Sequence, residues 1–102
     1  MGLLDLLGLG GKSERIKNFV ANGALIIDVR TSGEYRDGHI KGSTNIPLDQ
    51  IETQISALQK LNKPVIVCCR SGLRSAQAAS ILKSNSIEVL NGGGWQNLER
   101  QL

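Results

Sequence analysis

The stretch Cys69-Arg70-Ser71-Gly72-Leu73-Arg74 constrains the fold more than any other, because of what stands on either side of it. Before it, Val65-Ile66-Val67-Cys68 is short, apolar and β-branched, the composition of a strand buried in a parallel sheet. After it, residues 75–83 are rich in helix formers, with an apolar face expected at Ala76, Ala79 and Leu82. Strand, short loop and helix in succession put the loop at the carboxyl end of a strand, where open α/β sheets bind ligands. The loop's N–H groups and the helix N-terminus then face an anion. A cysteine at that point has a reason to ionise.

The chain has 102 residues, which fits a single domain over 1–102. A domain of this size buries roughly 60–70% of its unfolded surface, so it needs neither disulfide nor metal. An apolar fraction of 40% and a charged fraction of 21% are those of a soluble globular protein. The net charge of +3 comes from interspersed charges, and the only aromatics are Phe19, Tyr35 and Trp95. A nucleic-acid surface built on stacking platforms is therefore not expected. The adjacent Cys68 and Cys69 do not read as a structural disulfide, and with one histidine they cannot complete a Cys/His zinc site. No metal or cofactor is expected. The opening run is interrupted by Asp5 and lacks a basic leader, and Leu6 breaks the myristoylation pattern. No membrane attachment is expected, and a reducing, cytoplasmic setting is inferred.

Residues 1–12 form a Leu/Gly-rich N-terminal segment, read as packed on the body in preference to an exposed docking segment. Ser13 is expected to cap a helix to about Asn22, with Ile16, Phe19 and Val20 on one face and Gly23 as its stop. Residues 24–29 read as a buried strand ending at Arg30, and Thr31 or Ser32 as the cap of a brief turn through Tyr35 and Arg36. Asp37-Gly38 is a turn, and a very short strand is expected near residues 43–46. From Pro47 a helical stripe of Leu48, Ile51, Ile55 and Leu58 runs until Asn62-Lys63-Pro64 ends it. After the strand at 65–68, the cysteine loop and its helix come a strand at 87–90, a loop at 91–94 and a terminal helix with Trp95 and Leu98 inward. Strands alternating with helices predict an α/β fold: a small open, largely parallel sheet of four or five strands with helices on both faces.

Four blocks resemble the single-domain rhodanese family of sulfurtransferases. They are Leu25-Ile26-Ile27-Asp28-Val29-Arg30 with Glu34-Tyr35, the run from Gly38 to Pro47, the run from Val67 to Ser75, and Gly93-Gly94-Trp95. The resemblance covers about residues 24–100 in family order. It implies a small rhodanese-like sheet fold and a cysteine alternating between thiolate and persulfide. Carried over by position, the nucleophile is Cys69, and the substrate cradle is Arg70, Ser71, Gly72, Leu73 and Arg74. A small anionic donor such as thiosulfate loads sulfur, and cyanide, a thiol or a protein acceptor removes it. Family members usually open with a short strand before the first helix, a place taken here by the Leu/Gly segment.

The residue types suit that chemistry. A free cysteine has a pKa of about 8.5, so little of it is thiolate at neutral pH, and helix N-termini with nearby cations lower it. Arg70 and Arg74 supply fixed positive charge, and Gly72 lets the loop turn tightly so that N–H groups converge. Cys68 reads as a small buried hydrophobe. His39 invites a Cys–His dyad, but its place beside Gly38 reads as structural, like Asp28 and Arg30 at the strand end. The main rival is a cysteine-dependent phosphatase or arsenate reductase, whose loop has five residues between Cys and Arg. Cys68 meets that spacing to Arg74 and Cys69 does not; Gly72, three residues after Cys69, favours Cys69. A sulfur carrier between proteins and a non-catalytic binding module are the remaining alternatives.

Overall fold

The computed structural model describes residues 11–102; the expectation for the Leu/Gly segment falls mostly outside them. The elements are α1 (Gly11–Ala21), β1 (Leu25–Asp28), α2 (Ser32–Arg36), β2 (Thr44–Asn45), a 3-10 helix (Leu48–Gln54), α3 (Ile55–Leu61), β3 (Val65–Cys69), α4 (Leu73–Ser84), β4 (Val89–Gly94) and α5 (Trp95–Glu99). The strands form one open sheet in the order β2-β1-β3-β4, with every pairing parallel. Short strands of β-branched residues separated by helices have few other ways to pair.

Side chains alternate across β3, and each face meets its own core. Val65, Val67 and Cys69 join Ile27, Val29, Ile51, Leu58, Ala78, Leu82 and Ile87 on the side of the 3-10 helix, α3 and α4. Ile66 and Cys68 join Ile16, Ile40, Leu90 and Leu98 on the side of α1 and α5, with Phe19 and Trp95 at its margin. All five β3 residues are buried, as an interior parallel strand requires.

Several boundaries differ from the sequence reading. α1 already includes Gly11, so Ser13 does not cap it, and Val20 is exposed where only Ile16 and Phe19 reach the core. The buried residues of α4 are Ser75, Ala78 and Leu82, and Ala79 packs partly buried on the same core; of the expected face, Ala76 alone is exposed, and Ser75 and Ala78 join that face. The stripe after Pro47 is a 3-10 turn before it becomes α3, and Asn62 ends α3 in the left-handed conformation (φ 51°).

The largest difference is β4. Residues 91–94 continue the strand instead of forming a loop. Val67 pairs with Asn91 but Cys68 pairs with Gly93, so Gly92 is an extra residue that bulges the strand. A Cβ on Gly92 would come within 2.9 Å of Ile66 and of Leu98 side-chain carbons, and one on Gly94 within 2.9 Å of the Arg70 carbonyl oxygen. These glycines are there to let β4 lie against β3 and the cysteine loop.

Candidate active site

β3 ends on Cys69 itself, one residue later than its sequence suggests, and the chain turns through Arg70, Ser71 and Gly72 into α4. Gly72 makes the turn at φ 104°, a conformation open to glycine, with its own missing side chain over Gly93 of β4. The turn aims donors back at the strand end. Cys69 Sγ receives the Gly72 N–H at 3.0 Å and the Ser75 N–H at 3.4 Å, and lies 3.3 Å from Ser75 Oγ. Cys69 is only 1% exposed, so a ligand must bring a small or extended group to it.

Those contacts decide the thiol's charge. Burial pushes the Cys69 thiol up, but hydrogen bonds from the Ser75 hydroxyl and from the Ser75, Gly72 and Ser71 N–H groups outweigh it and hold the pKa below the ordinary value. Cys68 is fully buried on the other face, and no group among the described residues donates to it. Burial first, then the charge of Asp28, pushes its thiol up to about 12. The two cysteines are free and chemically opposite.

The two loop arginines are not equivalent. Arg70 is exposed and makes no salt bridge among the described residues. Arg74 is half-buried and bidentate to Glu34, Nη1 to Oε1 at 2.7 Å and Nη2 to Oε2 at 3.0 Å. Glu34 is itself placed by a capping box, in which the Thr31 hydroxyl accepts the Glu34 N–H while Glu34 Oε1 accepts the Thr31 N–H. Hydrogen bonding to Arg74, then to Thr31, holds the Glu34 carboxyl down at about 2. Ser71 and Leu73 form the exposed rim of the loop. Beside Arg74 lies an apolar cleft lined by Val29, Thr31, Pro47, Leu48 and Asp49.

Asp28 and Arg30 stand at the end of β1 and form a buried pair. Arg30 Nε and Nη2 donate to the Asp28 carboxylate at 2.7–3.0 Å, and Arg30 Nη2 also donates to the Gly38 carbonyl at 2.7 Å. The guanidinium lies 4.8 Å over the Trp95 ring, so one side chain ties β1, the turn after α2 and the start of α5 together. Asn45 donates to the carbonyls of Asp28 and Arg30, both at 2.9 Å. His39 lies exposed on that turn, its ring stacked on Tyr35 at 3.8 Å and its Nδ1 donating to the Tyr35 carbonyl at 2.7 Å; it makes no hydrogen bond to Cys69. The structure therefore turns Gly72 and Ser75 onto the Cys69 sulfur, leaves Arg70, Ser71 and Leu73 at the exposed rim with Arg74 held on Glu34, and sets Asp28, Arg30 and His39 apart from the sulfur.

Sequence reading gives no site role to Ser75 or Asn91. Ser75 is fully buried and donates to Asn91 Oδ1 at 2.7 Å, and that oxygen also accepts the Gly93 N–H at 2.9 Å. Ser75 carried a signal, a small hydroxyl in the first turn after the cysteine loop. Asn91 carried none, because its run read as a turn. Among the described residues no group of three or more His, Cys, Asp or Glu side chains could hold a metal, and no helix is long and apolar enough to cross a membrane.

An α/β domain that presents a depressed thiol in a tight loop between strand and helix is a small class of protein, and comparison places the chain within it. A family model for the rhodanese-like domain matches residues 13–99. The chain belongs to the rhodanese-like domain family. It is 36% identical over 74 residues to the thiosulfate sulfurtransferase PspE of Escherichia coli K12, a match covering 71% of each chain. It is 40% identical over 69 residues to YqhL of Bacillus subtilis, covering 67% of this chain and 54% of that protein, so it spans about half the length of that relative. A solved structure of a rhodanese with anions from E. coli superposes with a TM-score of 0.67 at 35% identity, over 74% of this chain and 91% of that one.

Proposed function

We propose that the chain is a sulfurtransferase that moves sulfane sulfur from a small anionic donor such as thiosulfate to cyanide or a thiol through a persulfide on Cys69. The observation that carries this reading is the set of donors converging on one buried sulfur. The Cys69 thiolate attacks the outer sulfur of the donor. A sulfur–sulfur bond forms to Cys69, the donor's own bond breaks, and sulfite leaves with the electron pair. Attack on the outer sulfur by cyanide releases thiocyanate and returns the thiolate. The N–H groups of Ser71, Gly72 and Ser75 meet anionic sulfur at each stage without reorganising. The loop is the substrate cradle, Arg70 and Arg74 adding charge at its rim, and the anions in the E. coli rhodanese structure agree with an anion-binding role. A relay in which the acceptor is a protein uses the same persulfide.

The phosphatase-like reading is disfavoured by Cys68. The cysteine with phosphatase spacing is 0% exposed, points into the core of α1 and α5, and has a raised pKa. The test is the intact mass of the protein after thiosulfate treatment. One added sulfur, mapped to the peptide at Cys69 and removed by cyanide, is expected; no added sulfur, or sulfur on Cys68, would sink the assignment.

A further inference from the structure

No single set of proton positions around Cys69 serves both its thiol and its thiolate, and Asn91 is the reason. Its side-chain amide has one orientation. Oδ1 accepts the Gly93 N–H at 2.9 Å and Nδ2 donates to the Gly72 carbonyl at 3.3 Å. Turning the amide over would set donor against donor and acceptor against acceptor. Oδ1 also stands 2.7 Å from Ser75 Oγ, and an amide oxygen only accepts, so the hydroxyl proton lies on that contact. Ser75 Oγ is in turn 3.3 Å from Cys69 Sγ. With its one proton on Asn91, the hydroxyl can only accept from sulfur, and the sulfur must be a thiol. A thiolate cannot donate. It would face an oxygen lone pair unless the hydroxyl rotated towards it. Ser75 is fully buried, so bulk water does not relieve the choice.

We propose that Ser75 is a two-position hydroxyl rotor, turned to Asn91 when Cys69 is a thiol and to Cys69 when it is a thiolate, and that Asn91 is a positioning residue competing with sulfur for that hydrogen bond. Ser75 keeps its own proton throughout, and the proton lost by sulfur leaves to solvent. In a persulfide the charge moves to the outer sulfur and Sγ is neutral, so the hydroxyl returns to Asn91. That last consequence rests on the sulfurtransferase reading; the rotor rests on the hydrogen bonds alone. The charged and titratable groups around the thiol are Arg74 of α4 with Glu34 of α2, Asp28 and Arg30 of the β1 end, and Cys68 of β3. Asp49 lines the cleft beside Arg74, and Lys12 of α1 brings Nζ within 3.0 Å of where a Cβ on Gly93 would sit. The substitutions below change none of them.

The test is the pH dependence of Cys69 alkylation by iodoacetamide, mapped by peptide, in the full chain. Ser75→Ala removes a donor to the thiolate, and the midpoint rises by about one pH unit, roughly a tenfold loss of thiolate at pH 6.5. Asn91→Leu removes the competitor, and the midpoint falls by about half a unit. In the double variant nothing remains to compete for, and the midpoint equals that of Ser75→Ala. A merely structural role predicts a loosened loop and a higher midpoint for Asn91→Leu. A rise there, or a fall that persists on the Ser75→Ala background, overturns the proposal. If circular dichroism shows Asn91→Leu unfolded, Asn91→Asp takes its place. Its carboxylate holds the hydroxyl more firmly, so the midpoint must rise, and rise less with Ser75→Ala; an equal rise on both backgrounds overturns the proposal. The conservative Ser75→Thr keeps the hydroxyl and the original midpoint. Midpoints that move as stated in a protein that transfers no sulfur would uphold the rotor and reject the functional reading.

Discussion

Cys68 and Cys69 are neighbours on one strand, and the two sides of the sheet treat them differently. Both are buried, 0% and 1% exposed, so burial alone would raise both thiols. On the α1 and α5 side, Cys68 meets apolar side chains and its pKa rises to about 12. On the α4 side, Cys69 meets the Ser75 hydroxyl and three N–H groups, and its pKa falls. The difference is one of donors, added to the deeper setting of Cys68 in its core. It is not chiefly one of arginines, because the largest favourable contributions come from Ser75, Gly72 and Ser71, and Arg74 is already paired with Glu34. The alternation of a single strand separates a thiol with a lowered pKa from one with a raised pKa over one residue.

The most severe way to break this comparison is to remove each sulfur in turn. Cys69→Ala is expected to abolish thiosulfate:cyanide sulfur transfer, to the level of buffer, while the fold survives. Cys68→Ala is expected to keep most of the activity and to lose about 1 kcal/mol of stability through lost packing. Steady-state thiocyanate formation and thermal melts measure both. Equal loss of activity in the two variants would mean that the faces are not functionally distinct.

A second measure is the alkaline limit of stability. A thiol whose folded pKa lies above its unfolded value stabilises the protein fully below the unfolded value, and that stability is lost as pH rises through the folded value. For Cys68 the window runs from 9.0 to about 12. Within it the unfolded chain ionises and the folded one does not, at about 1.4 kcal/mol per pH unit. The deficit of Cys68→Ala at neutral pH should therefore shrink above pH 9 and reverse near about pH 10. Melting temperatures of both proteins between pH 7 and pH 11 test it; a constant gap would show that Cys68 ionises as freely in the fold as out of it.

How much of this could be read from the sequence depended on what each residue answers to. The parallel sheet was legible because β-branched runs alternate with helical stripes, and the loop was legible because glycine, arginines and cysteine sit between a strand and a helix pattern. Residues 91–94 were not. Asn-Gly-Gly-Gly has the composition of a turn, and only the neighbours Ile66, Leu98 and Arg70, all distant in sequence, explain why a strand there must be glycine. Asn91 was hidden with it. The Glu34–Arg74 pair spans 40 positions, a separation over which residue spacing carries no signal. On α4 the expected Ala79 and Leu82 reach the core but Ala76 does not, because a run of Ala76, Ala78 and Ala79 leaves the edge of the apolar face undecided by periodicity.

The finest test concerns the charge at the rim. Glu34 is ionised at any working pH, since its carboxyl is held at about 2, and it occupies both terminal nitrogens of Arg74. On the proposed reading, a dianionic donor would share Arg74 with a fixed carboxylate. Glu34→Gln frees the guanidinium and should lower the KM for thiosulfate by about two- to fivefold, the scale of a partly exposed ion pair. Arg74→Ala should raise it by a similar factor. An uncharged sulfur donor should respond to neither change, and added salt should erode the gain because the pair is open to solvent. The alkylation midpoint of Cys69 should move far less in these variants than in Ser75→Ala, since Arg74 is paired with Glu34 while the loop's N–H and hydroxyl groups contact the sulfur. A midpoint that rises as much with Arg74→Ala as with Ser75→Ala would return the work of ionisation to the arginine and erase the contrast drawn between the two faces.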